Sequence, residues 1–353
     1  MNTFKTYTTD TIQLKSGLCM PSITLAYETH GTLSPKKDNV ILVHHGLSAS
    51  SHIASTNLNP KKGWWEEIVG SGKALDTNEY YIICVNFFGS CNGSTGAATT
   101  NPETGKPYGQ TFPNYSVEDM ITIEKHVLNA LGIEELYAIV GVSFGGMLSL
   151  AYGVHFPGVA KKILLISSTH KAYPTNIAVR EIQSNILDLS TAHGDIQKGF
   201  EISRRINILS YRTSIEMDRR FTGDMTYNEH GEKIEPTLKS YLDYNASKFV
   251  KSFDVECYKS LLRVMDEFHI REDELEKLES SVYILSVSSD KLYPSYQQED
   301  LFNLLSDLNK DVYHETIDSI YGHDTFLIDS TQVDSFLTAS LKSNSMYHLA
   351  DNM

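Results

Sequence analysis

Short apolar runs along the chain alternate with longer stretches in which apolar residues recur every three or four positions. Two extended runs open it, at residues 11–14 and 22–27, and a compact apolar run at 39–44 ends in the turn-like His45-Gly46-Leu47-Ser48. Runs at 80–86 and 136–140 follow, each stopping in small residues, with a helical period over 117–131 between them. A helical run from Met147 to His155 comes next, and further β-rich runs stand at 162–167, 282–287 and 312–316. Strands without a polar face that alternate with helices predict an α/β architecture, a mostly parallel central sheet with helices on both faces.

From residue 169 to 275 that alternation stops. The pattern becomes helical at 177–189, 196–210, 236–249 and 257–268. This predicts a core domain made of residues 1–168 and 276–353, interrupted by a helical lid insertion at 169–275 that sits over the strand ends where ligands collect in open α/β sheets. Within the insertion, the polar, glycine-containing residues 227–236 are expected to form a mobile loop. No internal repeat or low-complexity tract stands out.

Composition narrows the function classes. The 353 residues are 41% hydrophobic and 21% charged, as in an ordinary globular protein, and no stretch approaches the roughly 20 apolar residues of a membrane span. The first fourteen residues are polar and lack the basic-then-apolar order of a secretory leader, so cytoplasm is the expected compartment. A formal charge of −14 argues against nucleic acid as a partner, since that binding rests on clustered Lys and Arg. Cys19, Cys84, Cys91 and Cys257 show neither a disulfide framework nor zinc-ligand spacing. His44, His45 and His52 lie close together without a metal spacing, so packing or loop hydrogen bonding is expected of them and no metal site is predicted.

Chemistry concentrates at Gly141-Val142-Ser143-Phe144-Gly145, which joins an apolar strand to a helical run. A serine hydroxyl is a weak nucleophile until a base takes its proton, and it must stand clear of the backbone to meet that base. A strand-turn-helix elbow with glycine two residues either side of the serine achieves this, as in the α/β-hydrolase fold. That fold orders its triad as nucleophile, acid, histidine. Asp290, after the run 282–287, and His323, after the run 312–316, complete it with Ser143. Alone, Asp290 reads as a turn residue and His323 as a surface histidine; the order and the strand-end placement make them a set. Two amides are needed where negative charge develops, one from Phe144 after the nucleophile and one from Leu47 in the early loop.

Several segments resemble the homoserine O-acetyltransferase family over residues 27–327. They include Gly63-Trp64-Trp65, Gly72-Lys73-Ala74-Leu75-Asp76-Thr77, Gly93-Ser94-Thr95-Gly96 and Asn101-Pro102-Glu103-Thr104-Gly105-Lys106-Pro107-Tyr108-Gly109, none of which a hydrolase in general requires. Ser143-Phe144-Gly145-Gly146-Met147, Ser288-Ser289-Asp290 and Gly322-His323-Asp324-Thr325-Phe326-Leu327 resemble that family's catalytic segments. The resemblance implies a two-step acyl transfer from acyl-coenzyme A, most plainly acetyl, to the side-chain hydroxyl of L-homoserine, within methionine biosynthesis. It implies that Arg204, Tyr211 and Asp324 serve the amino-acid acceptor, that coenzyme A enters only as the acyl carrier with no bound cofactor or metal, and that the protein is a homodimer. The chain departs from the pattern at Ser50, Val142 and Phe144 and in a shortened stretch between Leu189 and Phe200. Succinyl donors, serine as acceptor and plain ester hydrolysis therefore stay open.

Overall fold

The computed structural model describes residues 4–221, 230 and 237–343. An eight-stranded sheet is built from β1 (Lys5–Thr8), β2 (Thr24–His30), β3 (Val40–His44), β4 (Tyr81–Val85), β5 (Leu136–Val142), β6 (Ala160–Ile166), β7 (Ser281–Val287) and β8 (Val312–Ile317). Their spatial order is β1-β2-β4-β3-β5-β6-β7-β8. The β1–β2 and β2–β4 pairs are antiparallel, and every pair from β4 to β8 is parallel.

The parallel strands are rich in Val, Ile and Leu because both of their faces are covered. Along β3, Val40 and Leu42 enter one apolar core while Ile41 and Val43 enter the other. The first core is closed by α1 (Val117–Ala130) and α2 (Phe144–His155), and by a later helix bearing Leu301 and Leu305. The second is closed by Trp65, Ile68 and the C-terminal helix carrying Phe336 and Leu337. Ser116 starts α1 with a reciprocal cap to Asp119, which satisfies two of the donors a helix start leaves bare.

Between β6 and β7 the chain runs through α3 (Pro174–Ala192), α4 (Ile196–Tyr211), α5 (Ser214–Arg220), α6 (Leu238–Val250) and α7 (Val255–Asp266). Proline at the first turn of α3 and the Thr213, Thr237 and Asp254 caps explain where these helices begin. A buried ring of side-chain hydrogen bonds joins Gln183, Asn207 and Tyr258, fixing α4 against α3 and α7. Each member has its partners met, so the ring specifies one docking of the three helices. The helices α8 (Ser295–Asp307) and α9 (Ser330–Lys342) return to the sheet.

Some expected boundaries shift. The run 11–14 shrinks to a two-residue strand, Ile12–Gln13, paired with Cys19–Met20 outside the main sheet. The edge strand β1 is mostly exposed and gave no apolar pattern to read. The helix expected from Met147 begins at Phe144, directly after the turn. The expected mobile loop at 227–236 lies, apart from His230, outside the described residues. Among the described residues no helix is long and apolar enough to cross a membrane.

Candidate active site

Parallel pairing sets two loops side by side. His44 at the end of β3 lies in register with Gly141 on β5, so the segment 45–48 leaves the sheet beside the β5–α2 turn. Chain order reverses around this point, with β4 on one side of β3 and β5 on the other, which opens a crevice beyond the strand ends.

Ser143 occupies that turn with φ 54° and ψ −125°. For a residue with a side chain this left-handed backbone costs on the order of 1–3 kcal/mol and persists only where the surroundings enforce it. Here they do. A Cβ on Gly141 would strike Ser149 Oγ and the Gly145 carbonyl, and one on Gly145 would strike the His44 carbonyl. The two glycines let helix and strand close on each other and push the serine outward.

His323 Nε2 lies 2.8 Å from Ser143 Oγ, and its Nδ1 lies 2.7 Å from Asp290 Oδ2. The other oxygen of Asp290 accepts the amides of Leu292 at 2.8 Å and Tyr293 at 2.9 Å, which fixes the carboxylate in its turn after β7. All three residues are buried. His323 rides on a one-turn helix, Gly322–Asp324, after β8. Gly322 has φ 62°, and a Cβ there would come 2.6 Å from the Tyr211 carbonyl oxygen, so the histidine loop is seated against the end of α4. Burial alone would push the His323 imidazole down; the Asp290 carboxylate and its hydrogen bond, with Asp324 adding to them, outweigh it and hold the group above the ordinary histidine value.

Leu47 and Phe144 are both buried, Phe144 at the first turn of α2. Among the described residues neither backbone amide has an acceptor within the protein. A cavity of about 180 Å³ opens here, with Leu47, Trp64, Ser143, Tyr211, His323 and Asp324 in its wall. A second cavity, about 260 Å³, shares Ser48, Tyr211, Asp324 and Leu327 with the first and adds Arg204, Arg212 and Lys248. A larger cavity, about 380 Å³, lies away from these groups, around Lys15, Glu118, His155 and Arg271, so size does not mark the chemistry.

Arg204 Nη2 is 3.4 Å from Ser48 Oγ and Nη1 is 3.5 Å from the Tyr211 hydroxyl, while the guanidinium covers Phe249 at 4.1 Å. Burial raises the Tyr211 phenol above its ordinary value, with Arg204 opposing the shift. Asp324 receives Arg212 Nε at 2.9 Å. The same arginine reaches Glu216 at 3.3 Å, so the acid beside His323 is anchored from the α4–α5 junction. Arg212 carried no motif in the sequence, and only its position directly after Tyr211 could have drawn attention to it.

The three early histidines separate in the structure. His44 bonds Ser149 and Glu124, and His52 bonds Glu28 and the Lys61 carbonyl. His45 donates Nδ1–H to the Gly46 carbonyl at 2.8 Å and stacks on Phe87 at 3.7 Å; burial pushes it down to about 3, so the ring is neutral. Among the described residues no group of three His, Cys, Asp or Glu side chains is arranged to hold a metal ion.

Residues 39–329 match the family described as the α/β-hydrolase fold. A homoserine O-acetyltransferase of Methanohalophilus mahii is 37% identical over 343 residues, covering 93% of this chain and 70% of its own. A serine O-succinyltransferase of Litchfieldella anticariensis is also 37% identical, over 341 residues, covering 90% of this chain and 92% of its own. The solved homoserine O-acetyltransferase from Bacillus anthracis and the solved esterase E22 each superpose with a TM-score of 0.87 at 23% identity over 96% of this chain, covering 97% and 99% of those chains. At that identity the two structures speak for the fold alone. With relatives this similar over nine tenths of its length, the chain belongs to the homoserine O-acetyltransferase family within the α/β-hydrolase fold.

Proposed function

We propose that the protein transfers an acyl group, acetyl in the leading reading, from acyl-coenzyme A to the side-chain hydroxyl of L-homoserine through an ester on Ser143. The observation that carries this is the Asp290–His323–Ser143 hydrogen-bond chain opening into a cavity that Tyr211 and Asp324 also line, these two residues being shared with a second cavity that adds Arg204. A hydrolase needs the first half of that arrangement. A transferase to an amino acid needs both.

In the first step Ser143 Oγ attacks the thioester carbonyl while His323 Nε2 takes its proton. The oxyanion is held by the amides of Leu47 and Phe144, each worth about 10²–10³ in rate where such donors have been removed. Collapse breaks the C–S bond, and His323 returns the proton to the departing coenzyme A thiolate. In the second step His323 takes the proton of the acceptor hydroxyl, which attacks the Ser143 ester; collapse regenerates Ser143 and releases the O-acyl amino acid. Asp290 keeps Nδ1 protonated and stabilises the imidazolium formed in each step.

The acceptor's two charged ends match the wall. Arg204, with no carboxylate partner among the described residues, can grip an α-carboxylate through two parallel N–H donors. Arg212 occupies Asp324 Oδ2, and the remaining oxygen is left for the acceptor's ammonium. In this reading the insertion α3–α7 acts as a lid that keeps water from the acyl-enzyme. The protein is read as a cytoplasmic homodimer that takes only small-molecule substrates.

Two relatives of equal identity carry different donors and acceptors in their names, so product analysis must choose between them. The protein is incubated with acetyl- or succinyl-coenzyme A, the mass added to it is measured, and the products with homoserine or serine are identified. The expected result is an acetyl adduct absent in Ser143→Ala and converted to O-acetylhomoserine. Thiol release that ignores the acceptor and yields no ester would make the protein a hydrolase.

A further inference from the structure

Directly beneath the elbow lies a second Ser–His–acid chain that the transfer chemistry leaves unused. His44, the last residue of β3, points Nδ1 at Ser149 Oγ on α2 at 2.8 Å and Nε2 at Glu124 Oε2 on α1 at 2.7 Å. Ser149 Oγ in turn lies 2.8 Å from the Gly145 carbonyl, one turn back on α2. His44 and Ser149 are 0% exposed and Glu124 is 4% exposed, so no substrate reaches them.

A hydroxyl has a single proton, and that of Ser149 has two acceptors within reach, the Gly145 carbonyl and His44 Nδ1, according to the imidazole tautomer. In either tautomer Ser149 Oγ ties α2 to the His44 ring, and Glu124 Oε2 holds the other ring nitrogen, so the buried chain is satisfied. With His44 and Ser149 closed to substrate, this is no second nucleophile.

The chain closes a ring of contacts between the two oxyanion segments. A Cβ on Gly145 would strike the His44 carbonyl, so Gly145 rests on the backbone of β3, while a Cβ on Gly141 would strike Ser149 Oγ. The His44 ring, Ser149, the Gly145 carbonyl and the His44 backbone thus form a circuit. The segment carrying Leu47 starts one residue after His44, and Phe144 precedes Gly145. We infer that His44 and Ser149 are positioning residues that set the separation of the Leu47 and Phe144 amides, and thereby the rate at which Ser143 is acylated, while Glu124 adds stability by holding the far side of the His44 ring. This inference rests on the acyl-enzyme reading above.

The test is single-turnover acylation by p-nitrophenyl acetate, followed as the p-nitrophenol burst, alongside thermal melting of each variant. Ser149→Ala should lower the acylation rate constant about 10- to 100-fold with ester KM changed less than about threefold, since misplacing a reacting geometry by up to 1 Å costs rates of that order. His44→Asn keeps a hydrogen-bonding amide where Nδ1 stood while depriving Glu124 of its partner. It should melt lower yet acylate within about threefold of the unmodified protein. Wild-type acylation by Ser149→Ala overturns the inference, as does a rate loss in both variants that tracks melting temperature. Should Ser149→Ala fail to fold, His44→Asn and His44→Leu decide it: a rate kept in the first and lost in the second supports positioning, and equal rates overturn it. An unmodified protein that is acylated by neither the ester nor acetyl-coenzyme A would instead sink the acyl-enzyme reading itself.

Discussion

Replacing Gly145 with alanine leaves every side chain of the proposed chemistry in place and alters only the spacing of two backbone segments. The added methyl would stand 2.6 Å from the His45 carbonyl oxygen and 2.5 Å from the His44 carbonyl carbon, with the His44 oxygen nearer still. Ordinary contact begins at 3.4 Å, so β3 and α2 must part by more than about 1 Å at the His44 carbonyl. Neither can swing aside, because His44, Phe144 and Met147 are all fully buried. Overpacking of this kind costs about 1–3 kcal/mol of stability. A displacement near 1 Å of the amides relative to Ser143 costs about 100-fold in acylation, equivalent to about 2.7 kcal/mol of transition-state stabilisation. Gly153→Ala is the control on the same helix. Its methyl meets the tips of Ile163 and Leu278, the latter at 2.9 Å, and those tips can rotate away. The p-nitrophenyl acetate burst and the melting midpoint of both variants separate rate from stability. The expectation is a slow Gly145→Ala protein and a Gly153→Ala protein of similar melting temperature that acylates normally. A Gly145→Ala rate within twofold of the unmodified protein, or an equal loss in both, would refute the argument from spacing.

Other perturbations probe other parts of the site. Asp324 is one of the groups that raise His323, and only the neutral imidazole acts as a base, so Asp324→Asn should move the acid limb of the acylation pH profile to lower pH; an unmoved or upward-shifted limb contradicts the assignment. Because the folded His323 value stands above 6.5, its pairing with Asp290 should add stability below that pH and lose it as pH climbs through the folded value, which denaturant midpoints from pH 5 to 9 would show. Arg204→Ala should raise the acceptor KM by about 10- to 100-fold, the worth of a lost charge-assisted contact, with a much smaller effect on donor-dependent acylation; steady-state kinetics against homoserine test this. Lys162 donates to the carbonyls of Ser340, Leu341 and Ser343 at 2.8, 2.6 and 2.7 Å, at the end of the sheet away from Ser143. Lys162→Met should therefore cost about 1–3 kcal/mol in denaturant unfolding while acylation per folded molecule stays unchanged.

Much of this was legible in the sequence for one physical reason: a parallel sheet covered on both faces writes its strands as unbroken apolar runs, and its chemistry must sit where those runs stop. The runs at 39–44, 136–140, 282–287 and 312–316 mark β3, β5, β7 and β8 to within two residues at either end. Ser143, Asp290 and His323 follow three of those ends, and parallel pairing brings the ends to one side. What was illegible is the pairing between distant segments that have no shared period. Arg212 on Asp324, Lys162 on the end of α9, and His44 between Glu124 and Ser149 join residues dozens to more than a hundred positions apart. Each looks locally like an ordinary charged or polar residue. The edge strand β1 is not legible because nearly all of it meets water, which leaves no apolar face to alternate with a polar one, and α8 because two of its four buried positions are glutamines, Gln297 and Gln298. The consequence reaches the proposed function: the triad is written in strand ends and glycines, whereas Arg204 and Arg212, assigned to the acceptor in that proposal, reach Ser48 and Asp324 from α4, which is docked through Gln183, Asn207 and Tyr258. On that proposal the choice of acceptor depends on how one helix is held over the strand ends, a feature that no local motif announces.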